Sequence, residues 1–164
     1  MLELKTINLE NSISEEFNNY KVRNTVRAVI FDNENNIALM NVSKDNFHKL
    51  PGGGIDEGET KIEALKRECL EEAGVDIEII SELGLISEIK KTSKTIQNSY
   101  CYTAKVIGEK GEPDFTEKEK AKGFEIKWLS VEEAIKTIEE DGFSNIIGEY
   151  ISIREKTILK EVKK

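Results

Sequence analysis

Between Gly52 and Val75 the chain reads GGGIDEGETKIEALKRECLEEAGV, and this stretch restricts the fold more than any other. It joins a glycine-rich turn, Pro51-Gly52-Gly53-Gly54, to one short helix. Thr60 and Glu63 have the capping-box spacing, in which hydroxyl and carboxylate satisfy two backbone N–H groups at a helix start. Ile62, Leu65, Cys69 and Ala73 recur every three or four residues and predict one apolar stripe. Gly74 stands where a helix stops, because glycine adopts the left-handed C-terminal conformation without a steric penalty. Glu68, Glu71 and Glu72 fall at i, i+3 and i+4, so they crowd one side of the helix. Like charges at that spacing cost about 0.2–0.5 kcal/mol per pair. A hard divalent cation relieves the repulsion, since Mg²⁺ binds carboxylate oxygens together with substrate phosphates.

The rest of the composition narrows the chemistry. At 164 residues, one domain over 1–164 is expected, large enough to bury a core without disulfide or metal staples. A net charge of −8 argues against non-specific nucleic-acid binding and against an anionic membrane surface. Cys69 and Cys101 make neither a disulfide framework nor a zinc site and are expected as reduced, buried thiols. The first residues, MLELKTINLE, show no apolar signal core, and no run reaches membrane-spanning length, so a cytoplasmic protein without membrane contact is expected. His48 is the only histidine, and every His-dependent mechanism would have to pass through it. Carboxylate and metal chemistry is the economical alternative.

Along the chain, Leu2, Leu4 and Ile7 allow a short strand, with turn and loop over 8–19. Lys21 to Asp32 predicts a strand, Asn33 to Asn36 a turn, and Ile37 to Val42 its hairpin partner. Residues 43–47 read as a polar loop leading to His48-Lys49-Leu50-Pro51. Residues 77–91 predict a strand broken near Gly84, paired antiparallel with 95–107, where Tyr100, Tyr102 and Val106 share one face. A charged loop over 108–123, a strand over 124–129 and a Ser130-capped helix from Val131 to about Glu140 follow. Phe143, Ile146, Ile147, Tyr150 and Ile151 have helical spacing, so 143–162 reads as a helical segment that packs on the core or on another subunit.

Gly53, Glu59, Arg67, Glu68, Glu71, Glu72 and Gly74 reproduce every fixed position of the Nudix box, and Cys69 and Val75 fill its apolar positions. The chain therefore resembles the Nudix hydrolases, MutT among them. That resemblance implies an α/β/α sandwich with a mixed β-sheet over about 24–140. It implies Mg²⁺-dependent hydrolysis, with Mn²⁺ as a substitute, of a nucleoside diphosphate linked to another moiety. Metal ligands would be Glu68, Glu71 and Glu72, with a carbonyl of Gly52 or Gly53. Glu59 and Arg67 would support them. The general base would be Glu68, Glu71 or a glutamate before the Trp-containing strand, where Glu119 is preferred over Glu117 and Glu125 by its place in the loop. Each of the three is otherwise an ordinary solvated charge. Arg27 would meet a phosphate, or else form a surface ion pair. Phe47, His48, Gly53 and Gly54 border the expected substrate. Tyr100, Tyr102, Phe115 and Trp128 are candidate base-stacking residues, although aromatics in β-rich cores are more often packing.

The leading substrate class is a small nucleoside triphosphate, oxidised or not. The proline of the family's ADP-ribose subgroup and the tyrosine of its dinucleoside-polyphosphate subgroup are both missing from their places downstream of the box. A catalytically silent nucleotide sensor would be expected to lose ligands, and none is lost. An RNA 5′-pyrophosphohydrolase would want a basic channel, for which Lys90, Lys91 and Lys94 are the only small cluster read from the sequence. The apolar C-terminal segment suits a homodimer.

Overall fold

The computed structural model describes residues 1–163. Seven strands and four α-helices follow in the order β1 (Glu3–Ile7), β2 (Lys21–Phe31), β3 (Ile37–Val42), β4 (Phe47–Lys49), α1 (Lys61–Ala73), β5 (Asp76–Lys90), β6 (Thr95–Ile107), α2 (Glu117–Ala121), β7 (Phe124–Leu129), α3 (Val131–Glu139) and α4 (Ile146–Val162). All seven strands join one mixed sheet, ordered β1-β5-β6-β2-β3-β4, with β7 on the other edge of β3. The expected β5–β6 antiparallel pair forms and carries irregularities at 79/81 and 82/84. The longest-range pairing is β2 with β6, parallel from Lys21↔Thr95 to Phe31↔Lys105.

Two apolar clusters cover the two faces, as alternation along β2 requires. Val26, Ala28 and Ile30 point to α1, where they meet Ala64, Leu65, Cys69 and Ala73. Val29 points the other way, to Ala134 and Ile138 of α3 and Tyr150, Ile158 and Leu159 of α4. Helices on both faces of a mixed sheet make the α/β sandwich expected from the sequence, and the C-terminal helix is one of its layers.

Several local expectations shift. Ile62 is exposed, and Ala64 takes its place in the buried stripe of α1. The polar loop before Pro51 contains a three-residue strand, β4, paired with β3 at Met40↔Lys49, Asn41↔His48 and Val42↔Phe47. The charged loop holds the one-turn helix α2, opened by a Thr116–Glu119 capping box.

Candidate active site

The glycine turn is held along β2 as though it were a further strand. Val26 N donates to Gly53 O at 2.9 Å, Ala28 N to Pro51 O at 3.0 Å, and Ile55 N to Asn24 O at 3.1 Å. Gly52 has φ +139°, and a Cβ there would lie 2.0 Å from Val26 O, so a side chain is excluded by conformation and by space. This pins the turn across the open face of α1. The helix itself starts on the Thr60–Glu63 box and ends on left-handed Gly74 (φ 66°), as its sequence predicts.

The three helical glutamates end up in different surroundings. Glu72 is buried: its Oε2 accepts from Gly52 N at 2.7 Å and its Oε1 from Lys49 Nζ at 2.9 Å. Glu68 lies against Gly53, where a Cβ would sit 2.3 Å from its Oε1. Desolvation raises the Glu68 pKa; the Arg67 hydrogen bond opposes this, and the nearby Glu72 and Glu71 charges add to it. Glu71 is about half exposed and touches Arg67 at 3.4 Å. Arg67 ties the group together. Its Nε and Nη2 donate to both oxygens of Glu59 at 2.8 and 2.9 Å, Nη1 to Glu68 at 2.9 Å, and Nη2 also to Gly54 O at 3.0 Å. The bidentate pair holds the Glu59 carboxyl down at about 2. Because that folded-state value lies below the ordinary 4.5, the stabilisation is full above about 4.5 and fades as pH falls toward 2. The melting-temperature gap between wild type and Glu59→Gln is therefore expected to shrink across that window in a thermal-melt series.

Opposite the carboxylates the cleft is basic. It encloses about 340 Å³ and is walled by Arg23, Arg27, Lys49, Lys90, Lys122 and Arg154, beside Gly52, Gly53, Gly54, Glu68, Glu72 and Phe47. Arg27 is buried. Its Nη1 donates to Val26 O at 2.9 Å, while Nε has no partner among the described residues. Burial lowers its pKa, the like charge of Arg154 adds to this, and Glu155, Glu72 and Glu88 oppose it. Arg154 comes from α4 and donates to Glu88 Oε2 at 3.0 Å and to Glu155 Oε1.

The remaining candidates separate by strand and helix direction. Phe47 and Lys49 point into the cleft. His48, between them on β4, points away; its Nδ1 meets Asp141 Oδ1 at 2.6 Å and its backbone N donates to Asp141 Oδ2 at 2.8 Å. It anchors the segment after α3 and does not line the cleft. Glu119 does line it, one carboxylate oxygen accepting from Thr116 N at 2.8 Å. Glu117 is instead solvent-exposed and paired with Lys120, and Glu125 is exposed on β7. Tyr102 is buried in the α1-side core. Phe115 packs edge-on against Phe124 at 5.7 Å, and Lys110 covers Trp128 at 3.8 Å. Arg154 escaped the sequence reading. Its signal was an arginine on the apolar stripe Ile151–Ile158, at i+3 and i−4.

The donor set suits a hard cation: carboxylate oxygens from Glu68 and Glu72 at the cleft, with Glu71 at its margin. Among the described residues no three acidic, His or Cys side chains are already gathered as a cage. The carboxylates are held instead by Lys49 and Arg67. Sites that share their metal with substrate phosphates commonly rely on one or two carboxylates. Gly53→Ala is expected to displace Glu68 through its side-chain end, lowering kcat by about 10²-fold, the scale of a 1 Å misplacement, with little loss of stability. Initial rates and a thermal melt of the purified variant check both halves.

Known proteins resemble the chain over most of its length. A NUDIX domain family matches residues 21–146. The Arabidopsis thaliana protein "Nudix hydrolase 12, mitochondrial" is 32% identical over 131 residues, 74% of this chain and 62% of that protein. The chain thus spans under two thirds of that relative's length. An RNA pyrophosphohydrolase of Pelagibacter ubique is 30% identical over 70% of this chain and 80% of its own. Among solved structures, a MutT protein from Methanosarcina mazei superposes with TM-score 0.59 at 18% identity, covering 93% of this chain and all of that one. The C. elegans Ap4A hydrolase gives 0.59 at 19%, covering 87% and 96%.

Proposed function

Because the chain belongs to the Nudix family, we propose that it is a metal-dependent pyrophosphohydrolase that cleaves the phosphoanhydride of a nucleoside 5′-polyphosphate. One observation carries this reading. A single cleft sets the Glu68–Glu72 carboxylate edge against buried Arg27, whose Nε has no partner among the described residues. Such opposition suits a substrate that brings negative phosphates to cations and shares a metal with carboxylates.

Glu68 and Glu72, with Glu71 beside them, would hold Mg²⁺, or Mn²⁺ in its place. Bound there, the metal offsets phosphoryl charge and acidifies water. The chain's own groups do the rest. Gly52 N and Lys49 fix the Glu72 carboxylate, and Arg67 fixes Glu68. Arg27 receives the phosphoryl oxygens, and Arg23 and Lys90 extend that contact along the cleft. Glu119 has one carboxylate oxygen outside its capping bond and faces the cleft, placing it to take a proton from attacking water.

A small nucleoside triphosphate, oxidised or not, is the first substrate expected. A second reading, the 5′ end of RNA, gains from Arg23, Lys90 and Lys122 around the cleft and from the Pelagibacter relative. The two cysteines are free, buried thiols, which suits the reducing cytoplasm. Among the described residues no helix is long and apolar enough to cross a membrane. Exposed Ile146 and Ile147 at the start of α4 suit a homodimer contact. The test is turnover in Mg²⁺ and in chelator against nucleoside triphosphates, oxidised nucleotides, dinucleoside polyphosphates, nucleotide sugars, ADP-ribose and triphosphorylated RNA. Metal-dependent release of pyrophosphate or phosphate from one class is expected. Tight binding of a nucleotide with no turnover of any class would leave a sensor instead.

A further inference from the structure

Beside the cleft lies a larger cavity of about 590 Å³ that the proposed chemistry does not use. It joins the cleft at Arg23 and Gly54, which wall both. Three cations line it: Lys21 and Arg23 from β2, and Lys61 from the start of α1. Among the described residues none of the three has a carboxylate within ion-pair distance; Arg23 meets only the Gln97 amide oxygen, at 3.4 Å. The one acid in the wall, Asp56, is drawn to Arg67 at 3.7 Å. In a chain of net charge −8, three cations without a carboxylate partner around one cavity form a local anion trap.

The cavity also has an apolar side. Val22 is 61% exposed in it, with Ile55 nearby. The Lys61 ammonium rests 3.8 Å from the centre of the Tyr100 ring, a contact that restrains a long side chain at the cavity wall. Asn24 and Thr95 supply hydrogen-bonding groups. Cations, an apolar wall and the Asn24 amide and Thr95 hydroxyl together fit a phosphate with a sugar and base attached.

We propose that this cavity binds a second nucleotide, joined to the one whose phosphates occupy the cleft and lying outside the bond that is cut. This rests on the pyrophosphohydrolase reading and moves its first substrate from the lone nucleoside triphosphate expected from the motif to molecules with two nucleotide units. Two sources share that chemistry: the 5′ end of RNA and a dinucleoside polyphosphate.

The test measures equilibrium binding in Mg²⁺ to the Glu72→Gln protein, together with turnover by the protein carrying Glu72. The ligands are a nucleoside triphosphate, a 5′-triphosphorylated dinucleotide and a dinucleoside tetraphosphate. At least one two-nucleotide ligand is expected to bind about tenfold more tightly than the triphosphate, the scale of a stacked base or a paired charge. The ligand that shows the gap identifies the source. The gap is expected to collapse in Lys21→Gln and Lys61→Gln, both exposed positions, and to narrow with added salt. Equal affinities for all three ligands, or a gap unchanged in both variants, overturns the proposal. A gap that collapses as expected, with no ligand turned over, upholds the cavity and refutes the hydrolase reading instead.

Discussion

Glu72→Gln is expected to reduce metal-dependent turnover by on the order of 10³-fold while leaving the fold in place. The two effects separate because of what each oxygen does. Gln keeps the size of Glu and one carbonyl oxygen, so the bond from Gly52 N survives and the glycine turn stays seated. The amide that replaces the other oxygen carries no charge and turns donors toward Lys49, which loses its acceptor. The stability cost is then that of one weakened buried bond, about 1–3 kcal/mol. The lost carboxylate is also one of the two at the cleft that would hold metal. Steady-state rates with Mg²⁺ titrated to saturation check the size of the effect. A variant that turns over at the wild-type rate with an unchanged Mg²⁺ dependence would place Glu72 in the turn alone.

Arg154→Met is expected to destabilise the fold by about 3–5 kcal/mol. Arg154 is 2% exposed, and its two partners, Glu88 and Glu155, are fully buried. Removing the guanidinium leaves both carboxylates in the interior without it. Lys90 remains for Glu88 at 3.4 Å, while Glu155 has no second ion pair among the described residues. For a chain of this length that corresponds to a melting temperature lower by roughly 6–20 °C. Combining Arg154→Met with Glu88→Gln and Glu155→Gln is expected to recover much of the loss, because it removes the stranded charges as well. Differential scanning calorimetry of the single and triple variants checks this. A single variant that melts within about 2 °C of wild type would show that water or rearrangement reaches these groups.

The helix of the box was legible because its signals are local. Thr60, Glu63 and Gly74 act within one or two turns, and the structure shows the bonds their spacing predicts. The sheet strands were legible through composition, yet their partners were not. The eleven-pair parallel match of β2 with β6 joins segments more than sixty residues apart, and no local pattern encodes it. Short elements were lost for a related reason. Three residues of β4 are too few to show a period, so the outward turn of His48 between Phe47 and Lys49 became visible only from the pairing with β3. The site was half legible. Its acidic edge is written in one continuous motif. Its basic side is assembled from β2, β4, β5, the C-cap of α2 and α4, and Arg154 reads as one charge in an apolar helix until Glu88 and Glu155 are placed beside it. The second cavity was hidden in the same way, since Lys21, Arg23 and Lys61 meet only when the turn is laid along β2.

The central claim is hydrolysis of a phosphoanhydride at the cleft between the carboxylate edge and Arg27. It is tested most directly by turning over a nucleoside 5′-polyphosphate in ¹⁸O-labelled water with Mg²⁺ and reading the products by mass spectrometry. One ¹⁸O atom is expected in one of the two phosphorus products for each bond cut, with no product in chelator. Bound nucleotide that stays intact and unlabelled through many hours in Mg²⁺ would contradict the claim.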